Sequence, residues 1–167
     1  MNSKSNSMKK LLPVIVPWFL LAQSLLGQQK MYWTDDGTDT IQRADLDGSN
    51  VEELVSTGLD APKGIALDLN ASKMYWIDRG AGKIQRANLD GSSLEDLVTG
   101  LSFPVGIALD LKQGKMYWTD TGTDKIQRAD LDGSNVEDLV TIGLSAPHGI
   151  ALDLIASKMY WGRCSGG

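Results

Sequence analysis

The sequence has a single cysteine, Cys164, so no disulfide can form within the chain. It has a single histidine, His148, which leaves few acid–base pairings and no His-rich metal set. With only that one base available, Cys164 in its Gly/Ser surroundings reads as a stray thiol rather than a nucleophile. Positive charge is not in excess. The formal net charge is −5, which argues against nucleic acid and anionic membranes as partners, because both attract cations. No stretch sustains a helical period. The longest apolar run, Leu11–Leu26, is short for a membrane span and is interrupted by Pro13 and Pro17.

That run follows Lys4, Lys9 and Lys10 and precedes the small-x-small pattern Ala22-Gln23-Ser24, with Gly27 as a second choice. A basic start, an apolar middle and a small-residue end are the parts of a secretory signal peptide. Residues 1–24 are therefore expected to be cleaved, with cleavage possible up to 27. The remaining chain is more acidic and extracytoplasmic, in either the extracellular or the periplasmic space. With 42% hydrophobic content it has the composition of one globular domain.

What the sequence does have is repetition. Residues 115–157 read KMYWTDTGTDKIQRADLDGSNVEDLVTIGLSAPHGIALDLIAS. Residues 30–72 are a close copy, 73–114 a copy one residue shorter, and 158–161 the opening of another. Residues 162–167 are left as a Gly/Ser tail. A period of about 40 residues marks a propeller, a solenoid or an array.

Four strand-like segments fall in each period. Gly106–Leu111 alternates apolar and small or polar residues, Lys115–Thr119 and Lys125–Leu131 alternate their faces, and Val136–Thr141 is aliphatic with two acids. Asp132-Gly133-Ser134, repeated at Asp47-Gly48-Ser49 and Asp90-Gly91-Ser92, is a hairpin signal. Short links favour sequential antiparallel pairing, and apolar residues on both faces need cover on both sides. Four antiparallel strands per period describe one propeller blade. Gly106 and Ala108 suit the crowded innermost strand, and Glu137 and Asp138 the outermost.

Tyr32-Trp33-Thr34-Asp35, Tyr75-Trp76-Ile77-Asp78 and Tyr117-Trp118-Thr119-Asp120, with the shared IQRA(D/N)LDGS and PxGIALD stretches, resemble the YWTD repeat. This is the class B repeat of the low-density lipoprotein receptor family, and the likeness covers Lys30–Trp161. The resemblance implies an all-β, six-bladed, extracellular propeller that binds proteins or peptides without catalysis. In such blades GIALD is the innermost strand and YWTD the second. The chain then starts out of phase. Lys30–Thr57 supplies strands two to four of one blade, Pro62–Gly100 and Pro104–Gly143 are complete, and Gly149–Leu154 with Lys158–Trp161 begin another. About three blades make half a ring, so a homodimer completing six blades is an expected partner arrangement.

The recurring acids have two readings. Asp35, Asp78 and Asp120, with Asp68, Asp110 and Asp153, could serve acid–base or metal chemistry. Alternatively they accept backbone N–H bonds at strand ends. Recurrence in every repeat favours the second, since a catalytic pair occurs once. Asp45–Gly48 and Asp130–Gly133 lack the spacing of a calcium loop. Asn70-Ala71-Ser72 is a glycosylation sequon. The fixed Trp33, Trp76 and Trp118 suit packing between blades better than sugar stacking.

Positions that vary between otherwise copied repeats are the candidate ligand-binding residues. The loop between strands two and three carries Asp36, Arg79 or Thr121. The loop into the inner strand carries Lys63 in one repeat, Phe103 and Val105 in the next, and His148 in the third. Both loops lie on one face of a blade, and loops on a rigid scaffold carry recognition. No catalytic residue, metal or cofactor is expected. The expectation is a secreted, receptor-like module with a protein or peptide ligand. The alternatives are a truncated propeller without independent function and a lactonase-like propeller enzyme. The enzyme would need a non-repeated cluster of acids and amides at the axis.

Overall fold

The computed structural model describes residues 29–163. The expected signal peptide and Cys164 lie outside the described residues. The described chain is all-β and antiparallel, with the strands in four sheets that follow sequence order. The first sheet holds β1 (Lys30–Asp35), β2 (Thr40–Asp45) and β3 (Glu52–Val55). The second holds β4 (Pro62–Asp68), β5 (Lys73–Asp78), β6 (Lys83–Asn88) and β7 (Glu95–Thr99). The third holds β8 (Pro104–Asp110), β9 (Lys115–Asp120), β10 (Lys125–Asp130) and β11 (Glu137–Val140). The fourth holds β12 (Pro147–Asp153) and β13 (Lys158–Arg163). These are two whole blades between two partial ones, with the out-of-phase start that the repeat pattern implies.

The edges of the strands agree with the sequence reading to within one residue except in two places. Each inner strand begins at its proline, two residues before the glycine. The register slips there, between Pro62 and Ile65, Pro104 and Ile107, and Pro147 and Ile150. Proline has no N–H for the ladder, and a bulge absorbs the missing donor. At the other end of the chain, β13 runs through Gly162 and Arg163, residues expected to belong to the tail. Arg163 pairs with Pro147, which extends the two-stranded sheet by the length of that bulge.

Blades stack face to face. One core cluster joins Tyr75, Ile77, Ile84 and Val98 of the second blade to Ile107, Met116, Trp118 and Ala129 of the third. Another joins Ile41 and Val55 of the first, with Tyr32 beside them, to Met74, Trp76 and Ala87 of the second. The tyrosine face of one blade thus meets the Met/Trp face of the next, which is why the second strands carry apolar residues on both faces. Inner strands meet backbone to backbone. A Cβ on Gly64 would lie 2.8 Å from the Val105 carbonyl oxygen, and one on Gly106 2.5 Å from that of His148. Only glycine permits that approach, and it holds β4, β8 and β12 side by side around the axis.

Candidate functional site

Loops at one end of the inner strands bring the variable residues together. Thr34, Asp36, Pro62, Lys63, Gly64, Val105, Gly106, His148 and Gly149 line a depression of about 290 Å³ beside the axis. Asp36 and Lys63 form an ion pair across the first two blades. The Lys63 ammonium, by hydrogen bond and charge, holds the Asp36 carboxyl below its ordinary range. His148 is exposed at the rim, whereas Val105 is buried in the wall.

Arg79, Phe103 and Thr121 form a second group on the same side. The Arg79 guanidinium stands 5.3 Å from the centre of the Phe103 ring, a cation–π contact from the second blade to the entrance of the third. The Thr121 hydroxyl donates to the Phe103 carbonyl at 2.9 Å, and the Thr121 N–H donates to the same oxygen at 3.1 Å. Phe103 has φ of 60° and its side chain is 57% exposed. The equivalent positions, Ala61 and Ala146, share the left-handed backbone but carry only a methyl group. A bulky residue with positive φ is strained, so an exposed ring held in that conformation is an uncommon feature.

The repeated aspartates fasten the same loops. Asp35 accepts from the Gly37 and Thr38 N–H groups. Asp78 accepts from Asp60 and Ala81, and Asp120 from Ser102, Gly122 and Thr123. At the other end of the inner strand, Asp68, Asp110 and Asp153 bind the turn that leads to the second strand. Burial pushes the Asp78 carboxyl up, against its backbone hydrogen bonds. Each carboxylate fastens a turn of its own blade, Asp78 and Asp120 also hold the connection from the preceding blade, and they do not converge.

Sequence reasoning missed the glutamine and arginine of IQRA. The indole N–H of Trp76 donates to Gln85 Oε1 at 3.1 Å, and that of Trp118 to Gln127 Oε1 at 3.1 Å. The arginine ties the outer strands to the next blade. Arg43 Nη1 donates to the Leu89 carbonyl at 3.0 Å, and Arg86 Nη1 to that of Leu131 at 3.2 Å. Their other nitrogens hold Glu52 and Glu95. Repetition in all three copies was the available signal, since a solvent-facing arginine needs no such constancy.

These blades, stacked through their inner-strand glycines, define a segment of a β-propeller built on YWTD repeats. The low-density lipoprotein receptor repeat class B family matches residues 29–69, 72–111 and 114–154, and the chain belongs to that family. Low-density lipoprotein receptor-related protein 4 of Homo sapiens is 54% identical over 41 residues, which is 25% of this chain and 2% of that protein. Protein cueball of Drosophila yakuba is 42% identical over 43 residues, 25% of this chain and 7% of that one. The chain thus spans a small part of these relatives. Among solved structures, the nidogen/laminin complex contains a chain matched at TM-score 0.77 and 34% identity, over 81% of this chain and 52% of that chain. A gluconolactonase from Xanthomonas campestris matches at TM-score 0.66 over 82% of this chain and 51% of that one. At 18% identity that likeness shows the fold alone.

Proposed function

We propose that this chain is an extracytoplasmic, non-catalytic, receptor-like propeller module that binds a protein or peptide ligand. The ligand would lie on the face carrying Asp36, Lys63, Arg79, Phe103, Val105, Thr121 and His148. The observation that carries this reading is Phe103, an exposed ring in a strained backbone with a guanidinium stacked on it. Strain of order 1–3 kcal/mol persists only where the surrounding structure holds the backbone, as this loop also does at Ala61 and Ala146, and such strain clusters at ligand-binding surfaces. Aromatic and arginine side chains are also the usual anchors of protein interfaces. Family membership and the likeness to a chain from a nidogen/laminin complex support a protein ligand and a place outside the cytoplasm. A homodimer that completes a six-bladed ring belongs to the same reading.

The test uses a peptide selected from a displayed library on the immobilised exported chain, with affinity read by fluorescence anisotropy. Lys63→Glu with Arg79→Glu is expected to weaken it at least tenfold. Asp47→Lys with Asp132→Lys, in turns on the opposite face, is expected to leave it unchanged. Equal loss from both pairs would count against this face. A lactonase-like enzyme would instead hydrolyse a lactone, and turnover that survives Phe103→Ala would replace the binding reading.

A further inference from the structure

We propose that Asn70 is a modification site, the acceptor of one N-linked oligosaccharide at the end of the blades opposite the recognition face. The proposal rests on the extracytoplasmic part of the reading above, because oligosaccharide is transferred to a chain as it is exported.

Asn70-Ala71-Ser72 is the one Asn-x-Ser/Thr of the chain, and it falls in the turn from β4 to β5. The other repeats carry Lys112-Gln113-Gly114 and Ile155-Ala156-Ser157 at that place. Asn70, Ala71 and Ser72 are all exposed. That exposure belongs to the turn itself. The same turn of the third blade follows β8, which has an inner strand on either side, β4 at Gly64 and β12 at His148–Ile150. Lys112 and Gln113 are exposed there too.

The fold makes no use of either side chain that the modification needs. Asp68 closes the turn, its Oδ1 accepting from the Asn70 and Ala71 N–H groups at 3.0 Å each. The Ser72 carbonyl accepts from the Leu89 N–H at 3.0 Å. Other asparagines commit their amides to neighbours. Asn50 and Asn135 donate to Asp45 and Asp130, and Asn88 donates to the Ser92 hydroxyl. Among the described residues, the Asn70 side-chain amide and the Ser72 hydroxyl have no hydrogen-bond partner, and both are held only through their backbone.

The inner strand sets the distance from the recognition face. β4 is a seven-residue strand with Pro62 and Lys63 at one end and Asp68 at the other. At about 3.3 Å per residue, its turn lies about 20 Å from Lys63. An oligosaccharide on Asn70 extends into solvent away from Asp36, Lys63 and His148. Its bulk keeps other macromolecules off that end and leaves the recognition face open.

The chemistry is a group transfer from a lipid-linked oligosaccharide diphosphate. Asn70 Nδ2 attacks the anomeric carbon, and a C–N bond forms. The C–O bond to the diphosphate breaks, and the lipid diphosphate leaves with the electron pair. The nitrogen gives one proton to a base of the transferase. Ser72 supplies the hydroxyl by which the transferase selects its asparagine, and Ala71 avoids the proline that it rejects.

The full chain secreted from insect cells should carry one glycan. Peptide N-glycosidase should remove the gel shift and leave a carboxyl in place of the Asn70 amide, read by mass spectrometry. Asn70→Gln and Ser72→Ala should each abolish the shift and keep the circular dichroism spectrum of the parent. Lys112→Asn with Gly114→Ser rebuilds the motif in the third blade, where a Cβ on Gly114 meets nothing within 4 Å, and should add a second glycan. Secreted chain with Asn70 unmodified, a shift that survives Asn70→Gln, or a rebuilt motif that stays bare would each overturn the site and leave the extracytoplasmic reading standing. A chain retained in the cytosol would overturn that reading, and the site with it.

Discussion

Asp78 and Asp47 have the same chemistry and opposite weight. Asp78 is buried and accepts from the Asp60 and Ala81 N–H groups, while Asp47 caps an exposed turn through Ser49. Asp78→Ala should cost about 2 kcal/mol in urea unfolding, since each buried donor left bare costs about 1–3 kcal/mol and relief of the buried charge offsets part. Asp47→Ala should cost under about 1 kcal/mol. Charge also sets the response to acid. Lys30, Lys115, Lys83 and Lys125, by hydrogen bond and charge, hold Asp45, Asp130, Asp96 and Asp138 low. Arg43 and Arg86 do the same for Glu52 and Glu95. A depressed carboxyl stabilises the fold above its unfolded pKa, about 4, and loses that contribution as pH falls through the folded value. Asp78, raised by burial, works the other way and relaxes a penalty on protonation. The urea midpoint should therefore be level near neutrality and drop below about pH 4, less steeply in high salt. A midpoint that rises on acidification would show that Asp78 dominates.

A blade's strength depends on having a neighbour on each face. Trp76 and Trp161 hold the same place in the motif, yet Trp76 is fully buried with its indole N–H on Gln85 and Trp161 is partly exposed. Trp76→Ala should cost about 3–5 kcal/mol and Trp161→Ala about 1 kcal/mol or less, measured by urea denaturation. The inner strand gives a second contrast. Gly106→Ala forces a methyl group against the His148 carbonyl and the β12 backbone, so it should lower the unfolding midpoint. Gly149→Ala, where an added Cβ meets nothing within 4 Å, should leave the midpoint unchanged. Strand identity was readable from alternation and from the Asx-Gly-Ser turns. The bulges at Pro62, Pro104 and Pro147 were not, because proline marks a boundary in a sequence and only strand pairing shows that a ladder resumes beyond it.

At the scale of the molecule, the chain is an arc of repeats in which each blade is stabilised by the next. Amide exchange should be slowest in β5 and β6, which have a blade on each side, faster in β9 and β10, which have only a two-stranded sheet beyond them, and fastest in β13. If β13 were protected as well as β5, the fourth sheet would be an independent element rather than one that depends on its neighbour. The candidate face was legible as a set of variable positions. The pairing of its members was not: Asp36 with Lys63 and Arg79 with Phe103 each join residues from different repeats.

Sequence alone determined the blade. The period, the alternation and the turn glycines are local, and each repeat carries enough of them to specify an antiparallel meander. The phase came from the resemblance, which places GIALD innermost and YWTD second in the sheet. Tertiary structure decided everything that passes between blades. As sequence, Gly64 and Gly106 are small residues on a crowded strand; in the fold, the neighbouring backbone stands within a Cβ's reach of each. As sequence, Arg43 and Arg86 are surface charge; in the fold, they donate to the carbonyls of Leu89 and Leu131 on the next blade. Those partners lie about one repeat period away along the chain, and identical repeats give no local sign of which face meets which. The rotation from blade to blade makes that choice, and it leaves Arg128, Leu139 and Gly149 at one end of the arc and Leu46 and Gly48 at the other.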